Sequence, residues 1–160
     1  MEKKNLFTSL LIGNNTRLLD ISMLLLRCVI GLILFVIGSG KVLGWFGGMG
    51  MAQTVQAFGK GGFSPPLVYL SSYTEFIGGI LLIIGFLTRP IGVAVMINMI
   101  VATIVMLPNG LVGPTSAALP LTVLVVDIAI LIAGPMDYSI DFLITRGTGK
   151  STVTESELPV

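Results

Sequence analysis

Four long apolar runs, each carrying a polar or charged side chain inside it, constrain this chain more than any other feature. They fall at about 21–40, 67–87, 91–107 and 115–133, with Arg27, Glu75, Asn98 and Asp127 as their respective interruptions. About 20 residues at a helical rise of 1.5 Å cross a hydrocarbon core of about 30 Å, so runs of this length read as membrane spans. Only 11% of the residues are charged, against about a quarter in an ordinary globular domain, which also points to lipid as the solvent. The expected fold is all-α. It is a four-transmembrane-helix bundle over residues 21–143, preceded by a tail at 1–20 with a short amphipathic piece and followed by a polar tail at 144–160. At 160 residues a single membrane domain, without an additional soluble one, is expected.

Composition removes several function classes. A formal net charge of +1 gives no electrostatic footprint for nucleic acid. Cys28 is the single cysteine, so an intrachain disulfide or a CxxC redox pair is impossible. There is no histidine, which removes His-ligated haem and most transition-metal sites, and no metal site is expected. The N-terminal stretch is basic but shows no A-x-A-like cleavage site near the end of the first apolar run, so that run is expected to be a retained helix.

The connections have their own character. Asp20 is placed to cap the first span, and Thr88-Arg89-Pro90 reads as a tight turn after the second. Between the first two spans lies a long glycine-rich linker, residues 44–66, with Trp45 and Phe46 suited to a membrane interface. A short surface helix is expected at about 51–58, and Ser64-Pro65-Pro66 reads as a helix start because proline is tolerated in a first turn. The linker reads as an interfacial connector, with a lid or docking loop as the alternative. Lys3, Lys4, Arg17, Arg89, Arg146 and Lys150 fall on one side of the expected membrane and only Lys41 and Lys60 on the other. The positive-inside bias then places both termini in the cytoplasm.

An ionised side chain at a bilayer centre costs about 2.5 kcal/mol or more, so such residues usually face the bundle interior and pair. On the first helix Arg27, Gly31, Leu34, Gly38 and Lys41 share one face, and the two glycines allow a neighbour to approach closely. Straight helices put Arg27 at about 21 Å, Asn98 at about 19 Å, Asp127 at about 18 Å and Glu75 at about 12 Å below the outer surface of the core. Helical side chains lean toward the N-terminus of their helix. Arg27 is therefore expected near Asp127 and Glu75 near Lys41, although the long Arg27 side chain could also reach Glu75. Purely structural roles stand beside the functional ones. They are snorkelling for Arg27, an ion pair or a protonated acid for Glu75 and Asp127, an interhelical hydrogen bond for Asn98, and an interface anchor for Lys41. If Arg27, Glu75 and Asp127 are all ionised, Lys41 balances the surplus negative charge; otherwise one carboxyl is neutral. A carboxyl that exchanges a proton inside a bundle suits quinone or proton chemistry.

Three stretches together resemble the DoxX family of small four-helix bacterial membrane proteins: LLLRCVIGLILFVIGSGKVLGWFGG, YTEFIGGILLIIGFLTRPIG and GPMDYSIDFLI. The resemblance runs over about residues 24–143. It implies a multi-pass protein of the bacterial inner (plasma) membrane, with Arg27, Lys41 and Glu75 at the family's polar positions. Many members carry a histidine where Ile37 stands here, so roles that need that histidine do not transfer. The family's naming derives from a thiosulfate:quinone oxidoreductase or terminal oxidase subunit, and other members are linked to redox and thiol stress. The implied function is a membrane subunit or anchor of a quinone-linked or thiol-redox oxidoreductase system, with an oxidoreductase partner and no intrinsic cofactor beyond a diffusible quinone. The alternatives are a small-molecule or proton permease working through Glu75, which suggests a homodimer, and a non-catalytic scaffold docking through the 44–66 linker.

Overall fold

Helix runs from Thr16 onward in the computed structural model, which describes residues 16–113, 115–133 and 139–140. Both polar tails, apart from the first turn of that helix, and nearly all of the closing GPMDYSIDFLI stretch lie outside the described residues. Among those described there are five α-helices and no strand: α1 (Thr16–Val42), α2 (Gly50–Lys60), α3 (Pro65–Ile84), α4 (Thr88–Met106) and α5 (Ala118–Ala133). Short 3-10 turns at Trp45–Gly47 and Leu107–Asn109 follow α1 and α4. Among the described residues, three segments are long and apolar enough to cross a membrane, namely Leu18–Val42, Pro65–Ile84 and Thr88–Asn109. The helix in the fourth expected span, α5, is apolar but has 16 residues.

Two expected boundaries move. Asp20 does not cap α1. It lies within the helix and is buried, because helical residues already run from Thr16 through Leu18 and Leu19. The turn between α3 and α4 is not Thr88-Arg89-Pro90 but the residues just before it. Gly85 takes a left-handed conformation (φ 68°) at the end of α3, with its N–H on the Leu82 carbonyl at 3.2 Å and the Phe86 N–H on the Leu81 carbonyl at 3.1 Å. This is the Schellman arrangement, which satisfies the last free carbonyls of a helix. Leu87 follows at φ 52°, and Thr88, Arg89 and Pro90 form the first turn of α4. Proline fits there because a first-turn N–H has no intrahelical partner.

The packing of α1 on α3 is set by glycine. A Cβ on Gly38 would fall on the Phe76 backbone, and one on Gly79 would lie 2.5 Å from the Phe35 nitrogen and 2.6 Å from the Gly31 carbonyl oxygen. The two backbones therefore touch, as small residues allow between membrane helices. Phe35 and Phe76 stack beside this contact with ring centroids 5.5 Å apart. Ile30 and Leu34 of α1, Leu82 of α3, Val95 and Met99 of α4 and Val123 of α5 form one buried apolar cluster. All four long helices thus share a single core.

Candidate functional site

Each long helix buries one stripe, and each stripe carries a polar residue. On α3 the stripe is Val68, Ser72, Glu75, Gly78, Gly79 and Leu82, spaced at the three- and four-residue steps of one helical face. Glu75 therefore points into the bundle and is 3% exposed. Its antiparallel neighbour α1 ends one turn above the Gly38 contact, so the last-turn Lys41 arrives opposite it. The Lys41 Nζ lies 2.7 Å from both carboxylate oxygens, donating a directed hydrogen bond to Oε1 and making an ionic contact with Oε2. From α4, the Asn98 amide Nδ2 donates to the same Oε1 at 3.1 Å.

Glu75 thus meets Lys41, as the lean of the two side chains predicts. The meeting with Asn98 departs from the depth estimate, which grouped Asn98 with Arg27 and Asp127. The reason is the tight hairpin: Glu75 precedes the Gly85–Leu87 turn by nearly as many residues as Asn98 follows it, so the two are level across an antiparallel pair. The earlier start of α4, at Thr88, accounts for the shift.

The expected pairing of Arg27 with Asp127 is not made. Arg27 is buried beside the α3–α4 turn, where its guanidinium occupies the space a Cβ on Gly85 would need, with Nη2 2.7 Å and Cζ 2.8 Å from that position. This sets its charge at the C-terminal end of α3, the negative end of the helix dipole. Asp127 belongs to the inward stripe of α5, Pro120, Val123, Asp127 and Ile130. It is 0% exposed, and among the described residues neither carboxylate oxygen has a hydrogen-bond partner. Its Oδ1 packs against the backbone of α4 at Gly92, 3.5 Å from where a Cβ would stand. Arg27 and Asp127 therefore belong to different contacts, and neither joins the Glu75 cluster.

A cavity of about 380 Å³ begins at Lys41, Glu75 and Asn98 and runs between α3 and α4 toward the start of α3 and the end of α4. Its walls are almost wholly apolar, with Ala94 and Ala102 one turn either side of Asn98. Two aromatic residues that sequence reasoning did not single out also line it: Phe58 from α2 and Phe63 just after it. Their rings meet edge to face at 6.0 Å, and Phe58 lies over the Lys41 ammonium, 5.6 Å from centroid to Nζ. The helix that carries Phe58 is seated by buried Thr54, whose hydroxyl donates to the Gly50 carbonyl at 2.8 Å with the Lys41 carbonyl 3.5 Å away. No sequence motif marks Phe58; only the fold of the linker brings it over Lys41. Among the described residues, no group of three or more His, Cys, Asp or Glu side chains could hold a metal ion.

This arrangement can fix the polar group of an apolar molecule. An ammonium retains donor capacity beyond its carboxylate contacts, an amide offers a second N–H and a carbonyl, and the apolar walls accept the rest of the ligand.

The DoxX family model matches residues 22–108, which include Arg27, Lys41, Glu75 and Asn98. The chain is 38% identical over 85 residues to "Putative oxidoreductase CatD" of Bacillus subtilis (strain 168), covering 53% of this chain and 59% of that protein. It is 37% identical over 73 residues to "Inner membrane protein YqjF" of Escherichia coli (strain K12), covering 46% of this chain and 52% of that one. The aligned parts thus span little more than half the length of these curated relatives. No solved structure matches the chain.

Proposed function

This chain belongs to the DoxX family, and from that membership and the cluster of buried Glu75 with half-buried Lys41 and Asn98 we propose that it is the membrane component of a quinone-linked or thiol-redox oxidoreductase system. The observation that carries the proposal is the Lys41–Glu75–Asn98 trio in a largely apolar cavity of about 380 Å³. Lys41 and Asn98 would donate hydrogen bonds to a quinone carbonyl, and Glu75 would hold the ammonium in place and accept from the hydroxyl of the reduced form. The similarity to a protein named as an oxidoreductase and to one named as an inner membrane protein fits this reading. In it, α5 forms a fourth crossing, both termini lie in the cytoplasm and the 44–66 linker lies at the outer interface of a bacterial inner membrane. Redox chemistry then comes from a partner subunit and the diffusible quinone.

The test is purification in a mild detergent, with quinone extraction and identification of copurifying proteins from one sample. Quinone in stoichiometric proportion, lost in Glu75→Gln and Lys41→Met, is the expected result. A quinone-free preparation with no redox partner, from protein that is otherwise intact, would overturn the reading.

A further inference from the structure

We propose that the ligand of the Glu75 cavity arrives sideways out of the lipid, through the gap between α3 and α4, and that it is an uncharged molecule with one polar end and an apolar body. This rests on the reading of the Glu75 cluster as a ligand site and adds to it the route and the charge of what binds.

The route follows from which residues serve two surfaces at once. Leu70 of α3 and Ile97 of α4 both line the cavity, yet they are 65% and 56% exposed on the outside of the bundle. In a membrane that outside is acyl chain, so the cavity opens onto lipid. The gap exists because α3 and α4 are joined only at one end. The Gly85–Leu87 turn closes them below and the Asn98–Glu75 hydrogen bond ties them midway. Beyond that tie, the walls include the small side chains of Ser71 and Ala102. On the side of the aqueous linker the way is covered. Phe58 and Phe63 lie across it edge to face, and Phe58 is held over Lys41.

The charge of the ligand follows from the balance at the closed end. Lys41 and Glu75 neutralise each other at 2.7 Å, and Asn98 adds none. A charged head group would bring a net charge into a low-dielectric site that already sums to zero, which is costly inside a membrane. An uncharged carbonyl or hydroxyl meets donors and acceptors at no such cost. The charged and amide groups gather at one place, whereas the walls beyond carry only hydroxyls, of which Ser72 already donates to the Val68 carbonyl; one polar end is therefore recognised and the remainder lies along mostly apolar walls.

The route is tested by cysteine reactivity. In a Cys28→Ser background, Ala102→Cys and Ala94→Cys place a thiol in the cavity wall at two depths. Each variant, in membranes accessible from both faces, is treated with neutral methyl methanethiosulfonate and with its anionic sulfonatoethyl analogue, which share one reactive group. The expected result is modification by the neutral reagent at least roughly tenfold faster than by the anion from either face, since the anion is excluded from hydrocarbon. Adding Leu70→Trp, which narrows the lateral gap, should slow the neutral reagent several-fold. Equal rates for the two reagents, or indifference to Leu70→Trp, would overturn the lateral route. Protection by decylubiquinone reads the ligand separately. The rate pattern without protection leaves the route standing and removes the quinone, whereas protection with equal reagent rates leaves the quinone and removes the route.

Discussion

At the scale of single residues, the two buried carboxylates differ in their company. Glu75 is held by an ammonium and an amide, whereas Asp127 has neither among the described residues. Removing one member of a buried ion pair strands the other, at about 3–5 kcal/mol when both are fully buried. The Lys41 side chain retains 23% of its exposure, so Lys41→Met should cost less, about 2–3 kcal/mol in thermal unfolding in detergent. Adding Glu75→Gln should return most of that loss, since the stranded charge is then gone, and a double-mutant cycle reads the coupling directly. Asp127 carries the opposite sign. A buried polar group without partners costs about 1–3 kcal/mol, so Asp127→Leu should leave stability unchanged or raise it by about 1 kcal/mol. A marked loss on that substitution would mean that Asp127 has a partner after all. The pair Glu75–Lys41 was legible in the sequence because side-chain lean is a property of every helix. The pair Glu75–Asn98 was not, because it depends on where the intervening turn falls, and apolar residues on both sides of Gly85 hide that position.

At the scale of helices, the α1–α3 contact is the most demanding. Gly38→Ala and Gly79→Ala each set a methyl against a neighbouring backbone that has no flexible side chain to give way. Each should cost about 3 kcal/mol or more, and monodisperse protein should be largely lost on size-exclusion chromatography. Gly59→Ala in α2 is the contrasting case: nothing lies within 4 Å of the added methyl. There the gain in helix propensity should stabilise by up to about 1 kcal/mol, seen as a higher melting temperature. Gly85→Ala combines two penalties, a left-handed backbone and collision with the Arg27 guanidinium, and should rank with the α1–α3 glycines. The shared face of Gly31 and Gly38 could be read from helical periodicity alone. The exact ends of α1 and α3 could not, since hydrophobicity continues past the Gly85 stop and begins before Ile21. The seating of α2 by Thr54 and Phe58 left no periodic signal either, because it depends on contacts with Lys41 that only the closed loop creates.

At the scale of the whole molecule, run length and apolarity made the helical character of the described residues legible, together with three segments long enough to cross a membrane; the fourth run, at about 115–133, holds a helix of only 16 residues. In the proposed topology, Lys60→Cys should react with an impermeant thiol reagent from the outer face of intact cells, and Arg89→Cys only after permeabilisation. The reverse pattern would invert the orientation drawn from the basic residues. The Lys41–Glu75 pair also has a consequence for how the protein is made. It joins α1 to α3, and the cation is synthesised before the acid. When α3 leaves the translocon with a carboxylate that costs about 2.5 kcal/mol or more to insert, its counter-charge already waits in a helix made earlier. The direction of translation thus supplies the partner before the residue that depends on it, and α3 expressed alone should integrate less efficiently than α3 following α1.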